Sequence, residues 1–460
     1  MSSTANPPAD SPRLRRSLTL WDLILYGVIV IQPVAPMSVF GVLSNRGRGH
    51  VVTTILIAMV AMLFTAFSYG KMARAYPSAG SAFTYVGQEI NPALGYITGW
   101  SMTMDYMLNP IICIVWVSEQ ARAFAPAIRY EIWAILIALI FTMLTSRGIK
   151  TSAKMNTLLA AGMGAVIVIF FACAARYLFG HPHDGLGFFT RPFFDPATFT
   201  MNGVLGGTSI AVLTYIGFDG ISTLSEEVEN PRRNILLATV LVCVVIGILS
   251  AAEVYVAQLV WPASQPFPDE TTAISYVSGR MWAPLFTIIG GTLVVANFGS
   301  GMAAQLGAAR LLFGMGRSNA LPKKFFGAVD PKRHVPRNNV IFVGAVSLAA
   351  ALIMGYAMGP DKAYGFGAEM LNFGALIAFM GVNAAAFVRY YVRAKERQFW
   401  NLFNPAAGFF ICLLLWLNLS ANAKVAGSVW MAAGIAFGAW KTRGFKGELV
   451  DFEIPADDEG

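Results

Sequence analysis

Residues 27–41 read GVIVIQPVAPMSVFG, an apolar run interrupted by a glutamine and two prolines. Neither Pro33 nor Pro36 has an N–H to give to the helix, and a proline in a helix interior costs ~3 kcal/mol or more. A helix entering this stretch is therefore predicted to break near its middle. The rest of the chain decides what such a break is for.

That chain has 460 residues, 56% of them hydrophobic and only 13% charged. Its mean hydropathy is +0.58. This composition excludes an ordinary soluble domain and reads as a polytopic membrane protein. Cys113, Cys173, Cys243 and Cys412 lie singly in apolar runs, so neither a disulfide framework nor a metal site is expected. Residues 1–16 are polar and the apolar run after them is long enough to span a bilayer, so the first helix is expected to persist in the mature protein.

Stretches of about 20 mainly apolar residues give twelve candidate spans. They lie near 18–43, 51–70, 93–121, 131–147, 155–179, 203–225, 235–261, 281–311, 338–358, 365–388, 402–421 and 426–442. With the N-terminus inside, 24 of the 33 Lys and Arg residues fall on inner segments. That bias supports twelve spans with both termini cytoplasmic in a cell membrane, and it explains the net charge of +8 without a nucleic-acid partner.

The sixth span carries a second interruption, YIGFDGISTLSEEVENPRR, with Gly217 and Gly220 around Phe218 and Asp219. Glycines weaken a helix there as prolines do in the first span. Either break alone reads as a kink or a close-packing site. Five spans apart, the two broken helices run in opposite directions, which points to an inverted repeat with a binding site at the breaks.

Three longer motifs then carry a resemblance: YPSAGSAFTYVGQEINPALGYITGW after the second span, YIGFDGISTLSEEVENPRRNI at the sixth and ARLLFGMGRSNALPKKF after the eighth. They resemble the amino acid, polyamine and organocation permeases. The MDY of the third span and LNFGALIAFMGVN of the tenth look most like the putrescine importer branch. The resemblance implies an all-α fold of twelve helices: a five-plus-five inverted repeat of the leucine-transporter type, plus two C-terminal helices. The segments are then a disordered tail at 1–16, a first repeat with its outer loop at 17–200, a second at 201–400, two further helices at 401–442 and a tail at 443–460. Alternating access is implied, with the first and sixth helices moving around a central site.

Family members that carry α-amino acids usually place Gly-Ser/Thr-Gly in the first span, where bare amides receive the carboxylate. Here Gln32, Pro33, Ala35 and Pro36 stand instead, with two amides missing and no glycine between Gly27 and Gly41. The substitution favours a substrate without a carboxylate. Acids inside spans are costly and usually functional. Asp105 and Asp219 are the deepest, with Glu253 in the seventh span and Glu369 opening the tenth. A cationic amine would use such carboxylates, with Tyr106, Tyr215, Phe218 and Trp100 offering ring faces. Gly217 completes the expected substrate set.

At the inner end of the sixth span, Glu226, Glu227 and Glu229 with Arg232 and Arg233 read either as a solvated cap or, by resemblance, as a gate. Asn297, Gly299 and Ser300 fall where sodium-coupled relatives of the fold supply hydroxyl ligands. Some proton-coupled members carry a lysine in the fifth span, where this chain has Met163, with Lys154 nearer the membrane face. The coupling ion therefore stays open between H+ and Na+; protons would have to be taken up by Asp105, Asp219 or Glu253. His50, His181, His183 and His334 fall in loops, and no GxxxxGK[ST] stretch occurs. No cofactor, metal or enzymatic activity is expected.

The leading expectation is an ion-coupled importer of a small organic cation such as putrescine, embedded in the lipid bilayer. An amino acid permease is the alternative within the same class, and a non-transporting sensor or accessory subunit the alternative outside it.

Overall fold

The computed structural model describes residues 18–442 and 444, apart from 77–80, 148–152, 183–184, 225–227, 318–320 and 331–334. Among the described residues there is no strand, only one isolated bridge that pairs Leu18 with Val228. Helices therefore satisfy the backbone internally, as a hydrocarbon environment demands.

The first break forms where the prolines fall. Helix α1 (Leu20–Ile31) starts with a capping box, Thr19 and Asp22 each serving the other's backbone amide. It ends at Gln32, and α2 (Ala35–Arg46) leaves at 47° to it. Pro36 lies in the first turn of α2, where a missing N–H costs nothing. The two prolines thus divide the labour: Pro33 follows the end of one half-helix, and Pro36 starts the next.

The chain continues through α3 (Val51–Ala75), α4 (Ser81–Glu89), α5 (Pro92–Phe124), α6 (Tyr130–Ser146), α7 (Ala153–Phe179) and the short α8 (Leu186–Thr190). Asn91 caps α5 by accepting from the Ala93 amide at 2.7 Å, with Pro92 as its first residue. The sixth span begins as α9 (Met201–Ala211), tightens to a 3₁₀ turn (Val212–Tyr215), breaks at Ile216 and Gly217, and resumes as a second 3₁₀ segment (Phe218–Leu224). Then follow α10 (Pro231–Val260), α11 (Ala273–Met281), α12 (Ala283–Arg317), α13 (Lys323–Phe326), α14 (Arg337–Met358) and α15 (Pro360–Ala386), which runs into a π-helical turn (Phe387–Arg393). Helices α16 (Phe399–Leu417) and α17 (Ala421–Lys441) close the described chain.

Among the described residues, eight helical stretches are long and apolar enough to cross a membrane, or nine with α1 and α2 counted as one bent span. Each of the nine matches an expected stretch. The other three stretches are helical as well: α6 is apolar but has only 17 residues, while α5 and α17 are long but less apolar.

The strongest packing joins α3 to α10, α5 to both α15 and α12, and α15 to α16; α6 also packs along α14. One large core runs through the bundle, with two small clusters around Leu312 and Val335 beside it, and Trp116, Tyr69, Tyr85, Tyr215, Phe218 and Phe373 are buried in the large one. Outward, α6 exposes Ile132, Ile135, Leu136, Leu139 and Met143, and α17 exposes Val425 and Val429. Such continuous apolar surface suits hydrocarbon rather than water.

Candidate functional site

The two broken helices meet. Gly217 has φ +118°, and a Cβ built on it would lie 3.1 Å from Val30 Cγ1 and 3.3 Å from Ile31 Cγ1. The turn of the sixth span therefore lies against the last turn of α1, and only glycine combines that backbone angle with that approach. Gln32, at the other break, holds φ +65°, an uncommon angle for a residue with a side chain. Its amide donates to the Ala296 carbonyl of α12 at 2.7 Å. On the far side of the break, Ser38 accepts from the Asn297 amide at 3.2 Å, and its carbonyl accepts from the Trp116 indole at 3.1 Å. Both halves of the first span are thus tied to α12, across the break.

The break offers few bare amides. The Ala35 amide donates to the Gln32 carbonyl at 2.9 Å, the Met37 amide donates to the Val34 carbonyl at 3.1 Å, and Pro36 has none. A carboxylate would find the start of α2 largely occupied.

The acids behave differently from each other. Asp219 is 7% exposed, and the backbone amides of Gly217, Asp219 and Gly220 face its carboxyl group. Its own carbonyl accepts from Ser222 Oγ at 2.6 Å, and Ser222 Oγ lies 3.3 Å from Ser81 Oγ of α4. Asp219 therefore caps the second 3₁₀ segment. Asp105 lies deep among the helices yet keeps accessible surface, and its carboxyl makes no hydrogen bond or ion pair with a described residue. The two acids are within electrostatic reach of one another. Tyr69 and Tyr106 interact with both, and Tyr106 also with Tyr26 of α1. The Tyr106 ring lies against α12, with Cδ1 3.2 Å from where a Cβ of Gly307 would be. Five elements thus converge on two carboxyl groups and three phenols. Two ionised carboxylates repel in a low dielectric, and a cation between them relieves that repulsion.

The other expected site residues divide. Pro33 is buried at the break and Ala35 keeps some accessible surface. Tyr215 is wholly buried and donates to the Ile55 carbonyl at 2.9 Å, pinning the sixth span to α3. Phe218 is wholly buried against Tyr69 and Phe379, at centroid distances of 5.6 and 5.3 Å. Both pack the break rather than presenting a face to the cleft. The Asn297 amide is taken by Ser38 and the Leu293 carbonyl. Ser300 lies beside the Cys113 thiol of α5. Met163 is buried on α7, and Trp100 stacks on Trp430 at 5.0 Å. Glu253 is buried in α10, with neither carboxyl oxygen hydrogen-bonded. Among the described residues no cluster of His, Cys, Asp or Glu suits a metal.

Glu226 and Glu227 lie outside the described residues. On the face where α1 begins, a different network is present. Glu89, at the end of α4, is fully buried and accepts from Arg389 at 2.6 Å, Arg393 at 3.1 Å and the Tyr76 hydroxyl at 2.6 Å. Burial, then the bond to Glu89, pushes the Tyr76 phenol up to about 12. This network joins the α3–α5 connection to the end of the tenth span. No local signal points to it, because the partners lie 300 residues apart. Tyr26 and Tyr69 were also unmarked in sequence, each being one aromatic among many in an apolar run.

On the opposite face, Arg122 bridges Glu119 at 2.7 Å and Asp269 at 3.6 Å, and Arg46 lies 3.5 Å from Glu369. Nearby, burial raises the Glu270 carboxyl above the usual range, helped by Asp361 and Asp269 and opposed by a hydrogen bond from Asn45.

The amino acid permease family model matches residues 33–444. The low-affinity putrescine importer PlaP of Escherichia coli is 33% identical, over 98% of this chain and 99% of the relative. The branched-chain amino acid permease BcaP of Bacillus subtilis is 26% identical over 92% of each chain. A methylthioribose transporter of Bacillus subtilis is 25% identical over 94% of each. With a family match over nine-tenths of its length and broken helices of the kind transporters use, this chain belongs to the amino acid permease family.

Proposed function

We propose that this permease imports a small organic cation, putrescine or a related polyamine, by ion-coupled alternating access. The observation that carries the reading is Asp105: a deep carboxyl group with accessible surface and no described hydrogen-bond partner, in electrostatic contact with the acid at the second break. A buried carboxylate is expensive unless a cation accompanies it, and a diamine brings two. The occupied amides at the first break weigh against an α-carboxylate. Similarity to a putrescine importer across nearly the whole chain supports the same substrate class.

The architecture in this proposal is twelve spans in a five-plus-five inverted repeat, with two more helices and both termini in the cytoplasm of a bacterial inner membrane. Packing supports it: equivalent spans of the two halves are neighbours, α3 with α10, α5 with α12 and α6 with α14. The first and sixth spans meet at their breaks, where a pseudo-two-fold axis would pass. H+ or Na+ supplies the driving force.

The second reading is an amino acid permease, favoured by the 26% identity to a branched-chain amino acid permease. A thermal-shift screen of the purified protein against polyamines and common amino acids separates the two, since a ligand bound only by the folded state raises its apparent stability. Stabilisation by putrescine and not by leucine supports the amine; the reverse pattern removes it.

A further inference from the structure

The last turn of α3 and the first turns of α10 enclose a groove of about 450 Å³ lined by Arg74, Arg233, Leu236 and Leu237. It lies on the face where α1 begins, beside neither broken helix's turn. Both arginines are exposed, and neither guanidinium group forms an ion pair or hydrogen bond with a described residue. The other tightly placed arginines of this face, Arg389 and Arg393, are spent on Glu89.

The helices that carry the groove continue it into the membrane. On α3, Val60 and Phe67 are exposed at seven-residue intervals before Arg74. On α10, Leu237, Leu241 and Val245 are exposed at four-residue intervals after Arg233. The α10 stripe alone runs ~18 Å at 1.5 Å per residue, slightly more than one leaflet's ~15 Å of hydrocarbon. Two guanidinium groups thus sit at the head of paired apolar tracks.

We propose that this groove binds an anionic phospholipid, its phosphate held between Arg74 and Arg233 and its acyl chains laid along the exposed faces of α3 and α10. Guanidinium groups match phosphate oxygens in geometry as well as charge. Juxtamembrane arginines attract anionic headgroups in general; here the apolar tracks add a reason for the lipid over a free anion. Because α10 packs along α3 and touches α1 and the second 3₁₀ segment, an occupant here would brace the helices behind the breaks.

The test is native mass spectrometry of the full chain in neutral detergent, titrated with phosphatidylglycerol or phosphatidylcholine of the same acyl chains. The wild type is expected to retain phosphatidylglycerol about tenfold more than phosphatidylcholine. Arg74→Gln/Arg233→Gln is expected to lose that preference, and each single change to lose part of it, which keeps the test available if the double variant fails to fold. Arg147→Gln, an exposed arginine ending α6 on the same face, should keep it. Equal retention of the two lipids by the wild type, or full preference in the double variant, would overturn the proposal. So would displacement of the lipid by millimolar inorganic phosphate, which would mark an anion site without use of the apolar tracks.

Discussion

Gly217, in the turn that divides the sixth span, lies directly against Ile31, the last helical residue before the break in the first. A Cβ on Gly217 would stand 3.3 Å from Ile31 Cγ1 and 3.7 Å from its Cα. Gly217→Ala adds that atom and strains a φ of +118°, at a cost of about 1–3 kcal/mol. The expected outcome is a lower melting temperature in detergent together with a loss of uptake larger than the loss of folded protein. Unchanged melting would show that the two turns do not touch as described.

Asp105 and Asp219 should part company when neutralised. Asp219→Asn removes a carboxylate that faces three backbone amides, so it should lower thermal stability as well as substrate binding. Asp105→Asn removes a group with no described partner, so its melting temperature without ligand should stay close to wild type. Paired melting curves for the two variants check this; a large stability loss in Asp105→Asn alone would reverse the assignment.

Glu89 holds the network at the face where α1 begins. Glu89→Ala leaves Arg389 and Arg393 facing each other without their shared acid. The side chains of Arg389 and Arg393 are 35% and 56% exposed and can turn to water, so the cost should be about 1–3 kcal/mol rather than that of a fully buried pair. Denaturation in mild detergent measures it. If the network also closes this face, the variant should expose cysteines substituted beside the breaks to thiol reagents faster than wild type.

Glu270 supplies a pH signature. Its carboxyl is raised in the folded chain, chiefly by burial. The stability it contributes is therefore complete below the ordinary glutamate value of about 4.3 and is lost as pH rises through the higher folded value. Glu270→Gln should melt progressively higher than wild type as pH increases from about 4 toward neutral. A gap that narrows over that interval would contradict the described environment.

The breaks were legible because their causes are local. Proline removes a donor and glycine tolerates a left-handed angle wherever they stand, so QPVAP and GFDG could be read without a fold. Their meeting was inferable from topology, since an odd offset of five spans inverts one relative to the other. The facing of Tyr215 and Phe218 was not legible. The span tightens from α to 3₁₀ just before them, which rotates the side chains away from the positions a regular helix would give. Glu89 and Arg389 were invisible as a pair because nothing in either neighbourhood names a partner so distant in sequence. Pro36 was expected to break a helix; its place in the first turn of α2 depends on where Gln32 ends α1, which is a matter of one residue.

The most direct test of the account is accumulation of labelled putrescine in proteoliposomes under an imposed ion gradient, compared between wild type and Asp105→Asn. Import of an organic cation held by Asp105 requires gradient-dependent uptake by the wild type, inhibited by unlabelled polyamines and not by leucine, and a loss of at least about tenfold in the variant, equivalent to ~1.4 kcal/mol of binding. Undiminished putrescine uptake by Asp105→Asn, or wild-type uptake of leucine that putrescine does not inhibit, would contradict it.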